Sequence, residues 1–194
     1  PQRARSLRLW RIVPRVISLQ ASDFELFGLP TAFALDRTQL DLQWKSLQRE
    51  AHPDRFASEG AAAQRIAMQW SVRINEAYNR LKDPLKRAAY LCELNGAAVN
   101  AENNTSMPPA FLIQQMEWRE ALDDCKALKN LDTKITALEA LLEEVDASHA
   151  QVLAQAAHLL DADHNYTAAV GQVRALMFIE KFAQEVQHGL DACT

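Results

Sequence analysis

From Ser22 onward, apolar residues recur every three to four positions, the repeat of amphipathic helices, and short polar breaks separate one run from the next. Ser22-Asp23-Phe24-Glu25-Leu26-Phe27 predicts a short helix that Gly28 and Pro30 stop. Asp36 reads as the cap of the next helix, with Gln39 three residues on as in a capping box. Leu40, Trp44, Leu47 and Ala51 form its apolar face, Lys45 and Arg49 lie on other faces, and Pro53 ends it. A longer helix is expected from about Ala61 to Leu81, with Ile66, Trp70, Ile74, Ala77, Tyr78 and Leu81 turned inward. Asp83-Pro84 closes it and opens a further helix, Leu85 to Leu94, which Asn95-Gly96 terminates. Short, long, long, short makes a complete small bundle.

Residues 97–108 lose the period and gather Asn, Thr, Ser and Pro, as a linker does. Three more helical patterns follow. Pro109 to about Leu128 carries Phe111, Leu112, Met116 and Leu122; Asp132 to Leu160 repeats Ile135, Leu138, Leu142, Val145, Val152 and Leu159. Tyr166 to Gln187 carries Val170, Val173, Leu176, Ile179 and Phe182, after a turn at 161–165. Long amphipathic helices with short connections predict an antiparallel three-helix bundle over 109–194. The fold class is therefore all-α. Residues 1–20 fit neither bundle: they are Arg-rich and acid-free, which gives them the look of a mitochondrial transit peptide, but the reading preferred is a disordered or non-native extension.

Composition supports helices over strands, with 48% hydrophobic residues, only 5 Gly and 7 Pro, and the prolines mostly between runs. Charge is uneven: the first 20 residues hold only Arg, residues 21–100 balance, and the acids accumulate from Met107 onward within a net of −4. Nucleic acid is a poor partner for such a chain, because phosphate binding needs a basic face. The 3 cysteines, Cys92, Cys125 and Cys193, form no CxxC pair and suit neither a disulfide framework nor a zinc site. No run approaches the ~20 apolar residues of a membrane span. No Gly-rich loop suggests nucleotide binding, and no HExxH or i, i+4 histidine pair suggests a metal. Neither enzymatic activity nor a cofactor is expected.

Chemistry concentrates at His52-Pro53-Asp54-Arg55-Phe56, between the two long helices of the first bundle. Proline gives a rigid exit from the helix and removes a donor, presenting His52 and Asp54 at a turn. Asp54 is then free to accept charge-assisted hydrogen bonds from an arginine of a partner. Here the chain resembles the J-domain family, whose signature is His-Pro-Asp between the second and third helices. Ile74-Asn75-Glu76-Ala77-Tyr78 and Leu81-Lys82-Asp83-Pro84 match that family's third-helix ending. The resemblance implies a J-domain over 21–96 that engages a DnaK-type ATPase through His52, Pro53 and Asp54, with Lys45 and Arg49 as basic contacts to its acidic surface.

Phe24-Glu25-Leu26-Phe27-Gly28-Leu29-Pro30, Leu47 to Phe56 and Arg87-Ala88-Ala89-Tyr90-Leu91 are similar to the HscB family in particular. So is Phe111-Leu112-Ile113-Gln114-Gln115-Met116-Glu117-Trp118-Arg119-Glu120, and the likeness runs from about Asp23 to the C-terminal end. The resemblance implies a co-chaperone that delivers an IscU-type iron–sulfur scaffold protein to an HscA-type chaperone and stimulates its ATPase, in a bacterial cytoplasm or alternatively a mitochondrial matrix. It implies scaffold binding through Leu112, Ile113, Met116 and Phe178, rimmed by Glu117, Glu120 and Asp124. Residue pattern alone would put such an apolar stripe in a core and the acids on a solvated face. The alternatives are a general J protein of a broad-client DnaK, and an assembly scaffold that no longer stimulates.

Overall fold

The computed structural model describes residues 18–99, 107 and 109–193. The extension expected at 1–20 lies outside the described residues except for 18–20, and the expected linker lies outside them except for 97–99 and 107. All regular structure in the described residues is helical. By its contacts the chain divides into two compact units between Arg87 and Ala88, inside a helix and upstream of the boundary expected at 96.

The first unit contains α1 (Asp23–Phe27), α2 (Arg37–Glu50), a 3-10 helix (Pro53–Glu59), α3 (Ala61–Lys82) and the start of α4 (Pro84–Leu94). Five-residue α1 is held by its ends. Ser22 accepts a bond from the Glu25 N–H, and the Glu25 carboxylate accepts one from the Ser22 N–H, a full capping box. Those bonds hold the Glu25 carboxyl below its ordinary pKa, the backbone bond from Ser22 contributing most. Gly28 then turns the chain at φ +62°, a left-handed conformation that a residue with a Cβ resists. The Asp36 carboxylate caps α2 by accepting from the N–H groups of Thr38 and Gln39.

α2 and α3 are cross-linked along their length. Trp44 stacks on Tyr78 with centroids 4.6 Å apart, and both Trp44 Nε1 and Gln48 Nε2 donate to Asn75 Oδ1. The inward face of α3 departs from expectation in its first half. Ala63 and Ala67 are buried there, whereas Ile66 is exposed and Trp70 only half-buried. The reason is Phe56, which the 3-10 helix swings against Ala63 and Ala67, so small residues face a large one. Ile74, Ala77 and Leu81 are buried as expected.

One buried charge organises this unit. The Asp23 carboxylate is sealed from solvent and paired with Arg73 at 2.7 Å and Arg80 at 3.3 Å, so α1 is bolted to α3. Arg73 also donates to the carbonyls of Leu19 and Ala21, tying the preceding chain to the same point.

The second unit holds the remainder of α4, then α5 (Pro109–Ala127), α6 (Leu131–Asp161) and α7 (Tyr166–Asp191). Asn130 and Asn165 cap α6 and α7 by accepting from the N–H groups of Thr133 and Ala168. Leu138, Leu141, Val145, Val152, Ala156 and Leu160 of α6 face Val173, Leu176, Ile179, Phe182 and Val186 of α7 across the core. The inward row of α6 thus ends on Leu160 rather than the expected Leu159. From α5 the core takes Phe111, Trp118, Leu122 and Cys125. Trp118 stacks on Phe182 at 5.6 Å, and its indole N–H donates to Glu144 at 2.8 Å, which satisfies its one polar atom.

Candidate functional site

Two surfaces carry the residues singled out from sequence, one in each unit. The first is the tip between α2 and α3. The last turn of α2 is closed by Ala51, whose carbonyl accepts a bond from Ser71 of α3 at 3.1 Å. His52 is extended and acts as N-cap of the 3-10 helix, with Pro53 in its first turn. A proline there loses nothing, since that N–H has no helical partner anyway. The His52 Nδ1 accepts from the Asp54 N–H at 3.3 Å, which turns the imidazole toward its own backbone. Arg55 donates to the Arg49 carbonyl, and buried Phe56 anchors the segment from below.

Asp54 is left projecting. Its side chain is 89% exposed, and the His52 imidazole lies beside it, with Nδ1 3.6 Å from the carboxylate. Lys45 and Arg49 are exposed one turn apart on α2, leading toward the tip. Of the tip residues expected from sequence, His52, Asp54, Lys45 and Arg49 are exposed and Pro53 is half-buried. The 3-10 helix was not expected: its signal was Pro53 at a first-turn position followed by Phe56, the spacing of a short capped turn.

The second surface is on α5. Leu112 is 46% exposed, Ile113 60% and Met116 73%, while the same helix buries Phe111, Trp118, Leu122 and Cys125 on its other side. The helix is thus apolar on two faces, and only one is used by the bundle. Glu117, Glu120 and Asp124 are exposed along the same flank. Leu112 and Met116 consequently leave the inward set expected for this helix, and Trp118 and Cys125 take their places.

Phe178, on α7, is half-buried beside this flank. It meets Phe111 edge-on at 5.8 Å and lies parallel to Phe182 at 6.0 Å. Arg119, which sequence reasoning passed over, reaches across to it: the guanidinium is 5.7 Å from the Phe178 centroid and bonded to Glu185. A groove of about 490 Å³ adjoins the flank, with Ile113 and Glu117 on its edge and Gln114, Gln151 and Gln155 among its lining.

Among the described residues, no group of three or more His, Cys, Asp or Glu side chains is arranged to hold a metal ion. No described helix is long and apolar enough to cross a membrane. Cys92 and Cys125 are buried thiols, the former pushed up to about 11 by burial, so neither is a poised nucleophile.

A short-long-long-short helical unit with an exposed His-Pro-Asp tip, followed by a helical bundle, defines a J-type co-chaperone. The chain belongs to the HscB family of co-chaperones. It is 52% identical over 171 residues to the co-chaperone protein HscB homolog of Burkholderia cenocepacia, covering 88% of this chain and 95% of that one. The homolog from Burkholderia thailandensis is 50% identical over the same span. Residues 107–187 match the family model described as the HSCB C-terminal oligomerisation domain. The structure of chaperone HscB from Vibrio cholerae is similar at a TM-score of 0.76 and 38% identity, covering 90% of this chain and all of that one. The crystal structure of human co-chaperone protein HscB shares the fold, at a TM-score of 0.79 and 21% identity over 90% of this chain and 84% of that one.

Proposed function

We propose that the chain binds an IscU-type iron–sulfur scaffold protein on the α5 flank and presents it to an HscA-type DnaK chaperone. The tip would then stimulate that chaperone's ATPase, promoting transfer of the cluster. The chain itself is an adaptor rather than an enzyme, and the cluster belongs to the scaffold. As a member of a family with bacterial relatives so similar, it would work in a bacterial cytoplasm.

The observation that carries this reading is the double-faced α5. Three large apolar side chains stand in solvent on a helix whose bundle face is already complete, and contiguous exposed apolar surface rimmed by polar groups marks a protein-binding site. Glu117, Glu120 and Asp124 beside them add charge that selects a partner with a basic rim and speeds encounter. Phe178 supplies an aromatic anchor of the kind that dominates interface energies. At the tip, Lys45 and Arg49 steer toward an acidic chaperone surface, and Asp54 is placed to accept from an arginine there.

The test is calorimetry of the full chain against an IscU-type scaffold protein. Leu112→Ala combined with Phe178→Ala is expected to weaken binding by about thirtyfold or more, because truncating two central apolar groups removes roughly 2 kcal/mol or more. Stimulation of the chaperone ATPase without scaffold should survive in the same variant. Unchanged affinity would show that these side chains do not contact the scaffold.

A further inference from the structure

Phe178 is the one member of the proposed docking face that does not come from α5, so something must fix its ring at the edge of that face. Four groups do so. Phe182, one turn further along α7, lies parallel to it within 9°. Phe111 closes its side edge-on at 87°. The Arg119 guanidinium lies over both rings, 5.7 Å from the Phe178 centroid and 5.0 Å from that of Phe182. Glu185 grips that guanidinium with both carboxylate oxygens, one of the bonds measuring 3.2 Å.

The arrangement commits the charge of Arg119 inward. Among the exposed acids Glu117, Glu120, Asp123 and Asp124, Arg119 is positioned on α5 as a base, yet its planar head is held by Glu185 rather than turned toward a partner. The hydrogen bond with Arg119 also holds the Glu185 carboxyl below its ordinary pKa, so the pair stays charged through neutral pH. We propose that Arg119 is a positioning residue of the docking face: clasped by Glu185 and laid across Phe178 and Phe182, it presets the Phe178 ring beside Leu112 and Met116 before the scaffold protein arrives. The inference rests on the docking function proposed above. Its physical basis is preorganisation, since a ring already held in its bound position loses less freedom on binding.

The experiment is a double-mutant cycle by calorimetry, using the full chain and an IscU-type scaffold protein, with thermal melting of each variant alongside. Arg119→Gln should weaken binding about fivefold in the otherwise unaltered chain. In a Phe178→Ala background the same substitution should change affinity by less than about twofold, because there is no ring left to position. Glu185→Gln, which loosens the grip on the guanidinium by deleting the charge and one acceptor, should weaken binding in the same direction by about two- to threefold. A residue that only stabilised the bundle would lower the melting temperature without this dependence on Phe178. Wild-type affinity of Arg119→Gln would overturn the inference. So would a loss that persists undiminished in the Phe178→Ala background, which would make Arg119 a direct contact. If Leu112→Ala with Phe178→Ala binds like the wild type, the docking function itself fails, and the role of Arg119 falls with it.

Discussion

Asp54→Asn is expected to remove stimulation of the partner chaperone's ATPase by about a hundredfold in a single-turnover assay. Losing one member of a hydrogen-bonded charge pair at an interface costs roughly 2–5 kcal/mol, and asparagine keeps the shape while deleting the charge. The fold should not notice. The Asp54 side chain is almost wholly in solvent, with only the His52 imidazole beside it at 3.6 Å, so stability should change by less than about 0.5 kcal/mol. Binding of the scaffold protein, proposed for the other unit, should be unaltered. Full stimulation by a folded Asp54→Asn chain would refute the role given to the tip. Lys45→Ala and Arg49→Ala should behave differently, slowing encounter in a salt-dependent way, because exposed charges steer more than they bind.

The second large effect concerns stability. Asp23→Ala leaves Arg73 and Arg80 without their shared carboxylate, and breaking a buried ion pair by removing one partner costs about 3–5 kcal/mol. Here the figure should sit near the lower end, about 3 kcal/mol, because both arginines keep part of their side chains in water. Since the chain has two compact units, one melting temperature would blur the result. Amide exchange of α3 in the full chain reads it directly: the protected amides should exchange about a hundredfold faster, while those of α6 and α7 hold their rates. Equal exchange of α3 in variant and wild type would show that the bolt between α1 and α3 bears little of the unit's stability.

Neither the bolt nor the clasp was legible in the sequence, whereas the helices and the tip were. The difference is range. Caps, prolines and apolar periodicity act within one helix, so Asp36, Gly28 and Pro53 announce their elements to anyone reading along the chain. Asp23 meets Arg73 and Arg80 only after the fold forms, and nothing near Asp23 marks it as buried. Alanine is the second source of error. Ala63 and Ala67 look like weak candidates beside Ile66 and Trp70, yet small side chains are what fits beneath Phe56. Helix α5 shows the third. Phe111, Trp118, Leu122 and Cys125 recur at helical spacing, and so do Leu112, Ile113 and Met116. Periodicity finds both stripes but does not say which one the bundle buries. Residue pattern alone assigns Leu112 and Met116 to the core, and only family resemblance points to the surface where the structure has them.

The structural idleness of the tip has a genetic corollary. The Asp54 side chain projects into solvent and fills no core, so a chain altered there should fold, escape quality control and accumulate to normal abundance. Such a chain would still hold its client on the intact bundle while failing to pass it on. On the proposed docking, in a cell carrying both versions the defective copies should sequester the scaffold protein, and the phenotype should be dominant. Lesions at Asp23 should segregate the opposite way: the J unit unravels, the protein is degraded, and the remaining good copy covers the loss.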